Sequence, residues 1–183
     1  MPTFQKDTGE VKKLASKLIS RFPDNEPLAK ANIDYVFAFA DLDETTGEPI
    51  NDALTKGGMR ALGIARKLPL KDRTMGRGDA EISLDGDWWK EADEDSQAAL
   101  LDHELHHIVV TEKRDNLGRP IIKLRKHDIE FGWFSTIAAR HGAVSMERVQ
   151  AKQILDVYGQ LIFPQLAATG EGRATKLEVR ATK

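Results

Sequence analysis

Residues 102–107 read Asp102-His103-Glu104-Leu105-His106-His107, and His103, Glu104 and His107 within them fit the pattern H-E-x-x-H. On a helix, positions i and i+4 share a face one turn apart, so both imidazoles can reach a single metal ion. Glu104 follows His103 by roughly 100° of helix and can approach a water on that metal from the side. Nitrogen ligands, an open coordination position and a carboxylate that takes the water's proton are what a zinc hydrolase requires. So short a pattern also arises by chance, and its surroundings must decide.

The immediate surroundings favour it. Asp93 is placed as an N-cap, with Glu94 and Asp95 in the first turn, where carboxylates complement the helix dipole. Ala98, Leu101, Leu105 and Ile108 then form an apolar stripe, so the helix is expected to run through Ile108. His103 and His107 lie on a second stripe with Leu100. His106 points about 100° away from His107 and reads as a solvated or supporting residue, not a ligand. Asp102 reads as a solvated helix residue.

Upstream, Val11, Leu14, Ala15, Leu18, Ile19 and Phe22 fall at helical spacing before Pro23. Ile33–Ala40 is β-branched and aromatic and reads as a buried strand. A polar loop, Asp41–Asp52, precedes a strand within Arg60–Leu68. Asp79–Asp85 alternates polar and apolar, as a half-exposed strand does. It is the expected edge for a bound peptide, which backbone hydrogen bonds would hold. Trp88 and Trp89 fall in a short connection and read as packing or cleft-wall residues.

Downstream, Arg114–Arg119 is a turn and Pro120–Leu124 a short strand. Asp128 is placed to cap a helix through Arg140, with Gly142 as its C-cap. A final helix is expected from about Ser145 to Phe163, before Pro164.

A catalytic zinc takes three protein ligands plus water, so a third must come from outside the motif. The chain has five histidines: His103, His106, His107, His127 and His141. His127 follows the turn and strand and can fold back over the motif helix. Glu130 lies one helical turn further on the same face, and a downstream helical Glu is a second known way to complete such a site. Asp128 suits either the N-cap or the carboxylate that orients a metal-bound imidazole. Arg140 and His141 sit where a helix C-terminus favours positive charge, and either could also reach the site to stabilise an oxyanion.

The block A-L-L-D-H-E-L-H-H (Ala99–His107), followed by K-H-D-I-E-F (Lys126–Phe131), resembles the putative phage metallopeptidase family and, more distantly, the SprT-like zincins. The resemblance spans roughly Ile33 to Gly142. It implies an α+β fold: a small zincin-like domain whose mixed β-sheet of about three to four strands packs on the H-E-x-x-H helix, flanked by N- and C-terminal helices. It further implies Zn²⁺ held by His103, His107 and a downstream residue matching His127, with Glu104 as general base. The expected activity is peptide-bond hydrolysis by a metal-activated water, in a phage or prophage protein. The cysteine-rich ribbon that many SprT-like proteins append has no counterpart, since the chain has no cysteine.

Composition narrows the alternatives. At 183 residues the chain suits one domain, expected over 1–168 with its core at about 33–142 and a flexible tail at 169–183. Without cysteine, disulfides, thiol nucleophiles and thiolate zinc sites are excluded. A net charge of −2 argues against general nucleic-acid or membrane attraction. No apolar run of about 18 residues and no signal-peptide core at Met1–Glu10 appear, so a soluble, cytoplasmic protein is expected. One stretch is strongly basic, with Lys56, Arg60, Arg66, Lys67, Lys71, Arg73 and Arg77 against Asp72 alone. It reads first as a solvated face balanced by the acids of Asp79–Asp95, and second as a phosphate contact. The competing class is a binding or inhibitory protein on a zincin scaffold, without turnover.

Overall fold

Glu81, Ser83 and Asp85 alternate with Ala80, Ile82 and Leu84, yet this strand is not half-exposed. In the computed structural model, which describes residues 1–127 and 134–153, all six are buried, and the strand runs between two neighbours. It belongs to an α+β architecture. In chain order the elements begin β1 (Thr3–Lys6), α1 (Glu10–Arg21), a 3-10 segment Pro23–Lys30 and β2 (Ile33–Phe39). A small hairpin follows, β3 (Thr55–Lys56) and β4 (Met59–Arg60), then β5 (Gly63–Lys67), α2 (Leu70–Thr74) and β6 (Ala80–Asp85). After α3 (Gly86–Glu91) and α4 (Glu94–His106) come β7 (Ile108–Arg114), β8 (Pro120–Leu124), α5 (Ser135–His141) and a 3-10 turn, Gly142–Val144. Residues 146–153 are helical. Met1–Arg148 form one compact unit, which holds every site discussed below, and a second begins at Val149.

The main sheet has four strands in the order β1-β2-β6-β5. β2 and β6 are parallel, while β1 on β2 and β5 on β6 are antiparallel, so the sheet is mixed. One face of β6 (Ala80, Ile82 and Leu84) joins Val11, Ala15 and Leu18 of α1 and Leu101 and Leu105 of α4 in the core. Full burial of side chains such as Ile82 and Leu84 contributes about 1.5–3 kcal/mol each.

The other face of β6 is charged and still buried, because arginines from the basic stretch close over it. Arg60 pairs with Asp85 at 2.9 Å and Arg66 with Glu81 at 2.6 Å. Arg77 bonds both Glu81 and, at 2.9 Å, Asp34. Burial alone would raise the Glu81 carboxyl, but the two guanidiniums outweigh it and hold the group below the usual range. Asp79, at the foot of β6, accepts from Arg73 at 2.6 Å and Arg119 at 2.9 Å. Arg73 also bonds Asp115 at 2.9 Å and the Pro120 carbonyl at 3.0 Å, which ties the β7–β8 hairpin to the sheet. Four arginines of the basic stretch are thus committed to acids of this same chain.

Several expectations are corrected. Asp79–Asp85 is a central strand and cannot serve as a peptide-binding edge; β5 and β1 are the terminal strands. The motif helix does not reach Ile108. It ends at His106, and Ile108-Val109-Val110-Thr111 opens β7, where β-branched residues favour the strand. Trp88 and Trp89 lie on α3, capped by Asp85, which accepts from the Asp87 and Trp88 amides at 3.1 Å. Within Arg60–Leu68, Arg60 belongs to the hairpin and only Gly63–Lys67 to the sheet strand. The polar segment Thr3–Lys6, unforeseen as structure, pairs with β2. The helix expected from Asp128 through Arg140 begins only at Ser135, because Phe134 before it is extended; Asp128 and Glu130 lie outside the described residues, as do the end of the last helix and the tail.

Candidate metal centre

Helix α4 sets the geometry. The Asp93 side chain accepts from the Ser96 amide at 2.7 Å, satisfying one of the helix's orphan donors. Every residue from Ala99 to Leu105 is buried, including Asp102, His103 and Glu104. His107 is the C-cap, and its φ of −68° and ψ of −24° remain helical. The one-turn relation of His103 and His107 therefore survives although the helix stops there.

The β7–β8 hairpin then returns the chain to this point. Ile108 faces Leu124 across the hairpin, so residue 125 falls beside residue 107. Arg125 clamps His107 twice: its amide donates to the His107 carbonyl, and its carbonyl lies against His107 Nδ1, both at 2.8 Å. Two residues later His127 enters the site, its Nε2 at 3.2 Å from His103 Nε2. His103, His107 and His127 each offer a nitrogen, all within 4.8 Å of one another, and form a group that can hold a metal ion. Phe134, fully buried, packs edge-on beneath four imidazoles: His103 at 5.0 Å, and His106, His107 and His127 at 4.9 Å.

Hydrogen bonds decide which nitrogens face inward. A carbonyl only accepts, so His107 Nδ1 carries the proton it gives to Arg125, and Nε2 is left as a bare lone pair. Burial pushes the His107 pKa down to about 4, so the ring is neutral near pH 7. His103 Nδ1 meets Glu147 Oε1 at 2.7 Å, which by the same logic leaves His103 Nε2 as the acceptor. The His107 and His103 lone pairs are thus turned toward His127, whose Nε2 lies 3.2 Å from His103 Nε2, and either a proton or a metal ion satisfies lone pairs placed so. That is the fit expected of a metal site built from imidazoles.

Glu104 stands beside these rings, 4 % exposed, and its Oε2 has no hydrogen-bond partner among the described residues. Burial raises its carboxyl above the usual range, against the opposing pull of His103, Lys56 and the Ala65 amide of β5. It lies directly on β5: a Cβ at Gly63 would fall 2.6 Å from Glu104 Cγ and 2.7 Å from Oε1. Glycine at 63 is thus the space that Glu104 occupies. Gly63→Ala is expected to displace the carboxylate and cut any Glu104-dependent turnover at least about tenfold, since small misplacements of catalytic groups are costly. Metal binding should be unchanged. Full activity in a folded Gly63→Ala variant would contradict this packing.

Other residues find different places. Asp102 is not solvated. It is fully buried and accepts from Asn25 at 2.8 Å, Arg140 at 3.2 Å and His141 at 2.9 Å. Burial works against its ionised form, but these partners outweigh it and hold the carboxyl below its ordinary range. Arg140 and His141 are thereby committed to Asp102, which joins α4 to α5 and, through Asn25, to the Pro23–Lys30 segment. His106 Nε2 meets Arg125 Nη1 at 2.8 Å. Glu147 and Gly63 were not foreseen. Glu147 follows Ser145 at the start of a helical stretch, where an acid has a sufficient explanation in the dipole, and its pairing spans 44 positions.

A family model described as putative phage metallopeptidase matches residues 3–157. This chain belongs to the putative phage metallopeptidase family. No curated protein and no solved structure matches it. The match takes in β1 and α1, which the two sequence blocks alone did not reach. Membership in a metallopeptidase family agrees with a histidine group able to hold a metal, and it points to proteins or peptides as substrates. No helix among the described residues is long and apolar enough to cross a membrane.

Proposed function

We propose that this chain is a zinc-dependent peptidase of phage or prophage type. In this reading His103, His107 and His127 hold the metal and Glu104 is the general base. One observation carries it: three imidazole nitrogens converge beside a buried carboxylate that has an orphan oxygen. Three histidines with an open fourth position suit catalytic zinc, and the lack of cysteine leaves no thiolate alternative. When bound, zinc would lower the pKa of a coordinated water from 15.7 to about 7 and polarise a substrate carbonyl.

The rest falls to the chain's own groups. Glu104 Oε2, buried and without a hydrogen-bond partner among the described residues, takes the proton of the attacking water and returns it to the leaving amine. Burial favours the protonated half of that cycle, while Lys56 and the Ala65 amide favour the ionised half. Gly63 and the Ala65 amide hold the carboxylate against β5. β5 ends the sheet on this side, and we assign it as the edge along which an extended peptide lies. Phe134 fixes the ring planes so that the ligand lone pairs are aimed before the metal arrives.

Protein purified without added metal should contain about one zinc per chain and hydrolyse an unstructured protein such as casein. A chelator should stop the reaction and zinc should restore it. Failure to bind zinc even on reconstitution would end the proposal. Zinc bound without hydrolysis of any peptide library would place the chain among binding proteins on this scaffold.

A further inference from the structure

Glu147 is 0 % exposed, and Oε1 lies 2.7 Å from His103 Nδ1. Its other oxygen, Oε2, is buried with no hydrogen-bond partner among the described residues. A carboxylate held this way is costly: one neutral N–H bond does not compensate a buried charge. Yet it stands on the far side of the imidazole whose Nε2 points into the histidine group. Positive charge arriving at Nε2 is transmitted through the ring to Nδ1–H, and only then is the carboxylate compensated.

We infer that Glu147 is a positioning residue for the metal centre, acting through His103. This rests on the metal-site reading above and adds a fifth side chain to its three histidines and Glu104. The carboxylate does two things. It holds His103 in the Nδ1–H tautomer with its ring oriented, and its charge makes Nε2 a stronger donor toward a cation. Glu147 itself does not touch the metal, because the imidazole lies between them. The arrangement trades stability of the metal-free fold for affinity, and this separates it from a merely structural ion pair.

The test compares wild type with Glu147→Gln and Glu147→Ala, using zinc alone as the probe. Zinc affinity should fall by about 10- to 100-fold in Glu147→Ala. It should fall less in Glu147→Gln, whose amide oxygen still accepts from Nδ1 but carries no charge. Metal-free Glu147→Gln should melt no lower than metal-free wild type, because an uncompensated charge has been removed. Zinc affinity within twofold of wild type in both variants would overturn the inference. A drop in metal-free stability with affinity unchanged would do the same, leaving a structural role only. Should Glu147→Ala fail to fold, two-bond ¹⁵N–¹H correlations on metal-free wild type still decide: Nδ1 of His103 must carry the proton, and the opposite tautomer refutes the role. Wild type that binds no zinc refutes the metal reading itself. Wild type that binds zinc no better than its variants refutes only the part given to Glu147.

Discussion

Replacing Glu104 by glutamine should leave the metal in place and reduce peptide hydrolysis by about 10²- to 10⁴-fold, the usual worth of a positioned general base. Glutamine has nearly the same shape, so the contact with Gly63 on β5 is retained. The wild-type carboxylate is buried, and one oxygen has no hydrogen-bond partner among the described residues. An uncharged amide there costs the fold no more than the acid does and can stabilise it. What is lost is the ability to take a proton. Chemistry should suffer and binding should not: kcat falls, KM stays near its wild-type value, and zinc content remains about one per chain. A variant that keeps its activity would remove Glu104 from the mechanism. One that loses zinc as well would make Glu104 part of the metal shell instead.

His107→Ala should produce the second large effect, loss of the metal. His107 gives the site a neutral imidazole whose Nε2 is left free by the bond from Nδ1 to the Arg125 carbonyl. Alanine removes that donor and leaves the Arg125 carbonyl without this partner. Changing a residue that merely orients a ligand costs about 10- to 100-fold in affinity, so removing a ligand should exceed 100-fold. At about 1.4 kcal/mol per decade, that is more than about 2.8 kcal/mol. The same difference can be read without turnover. Zinc should raise the melting temperature of wild type by mass action and leave that of His107→Ala nearly unchanged. Equal zinc-induced shifts in the two proteins would show that the histidine group is not where the metal binds.

Much of this centre was legible in the chain because its parts are local. The spacing of His103 and His107 is a property of one helical turn, and the Asp93 cap and first-turn acids mark where that turn begins. His127 was within reach of reasoning because only a short two-stranded hairpin separates it from the helix. The hairpin register, Ile108 opposite Leu124, is what returns it to His103. Ile33–Phe39 and Glu10–Arg21 were equally plain, as runs of one periodicity.

Other features were illegible for stated reasons. The alternation of Asp79–Asp85 is the pattern of a strand with one wet face, and periodicity cannot reveal that Arg60, Arg66 and Arg77 bury its charged side. Ionic compensation between segments leaves no periodic trace. Asp102 misled in the same way: its partners Asn25, Arg140 and His141 come from two distant segments.

By itself, then, the sequence determined the chemistry on offer: a histidine pair with an acid between its members, a third histidine downstream, and no cysteine to compete. These follow from residue identity and helical spacing, which need no fold. Only the tertiary structure decided how those groups are held. It brought Glu147 behind His103 and Phe134 beneath the rings, and it cleared a space at Gly63 for Glu104. Each of these depends on a contact across tens of residues. Such a contact is set by how helix, hairpin and sheet pack together, and no window of the chain contains it.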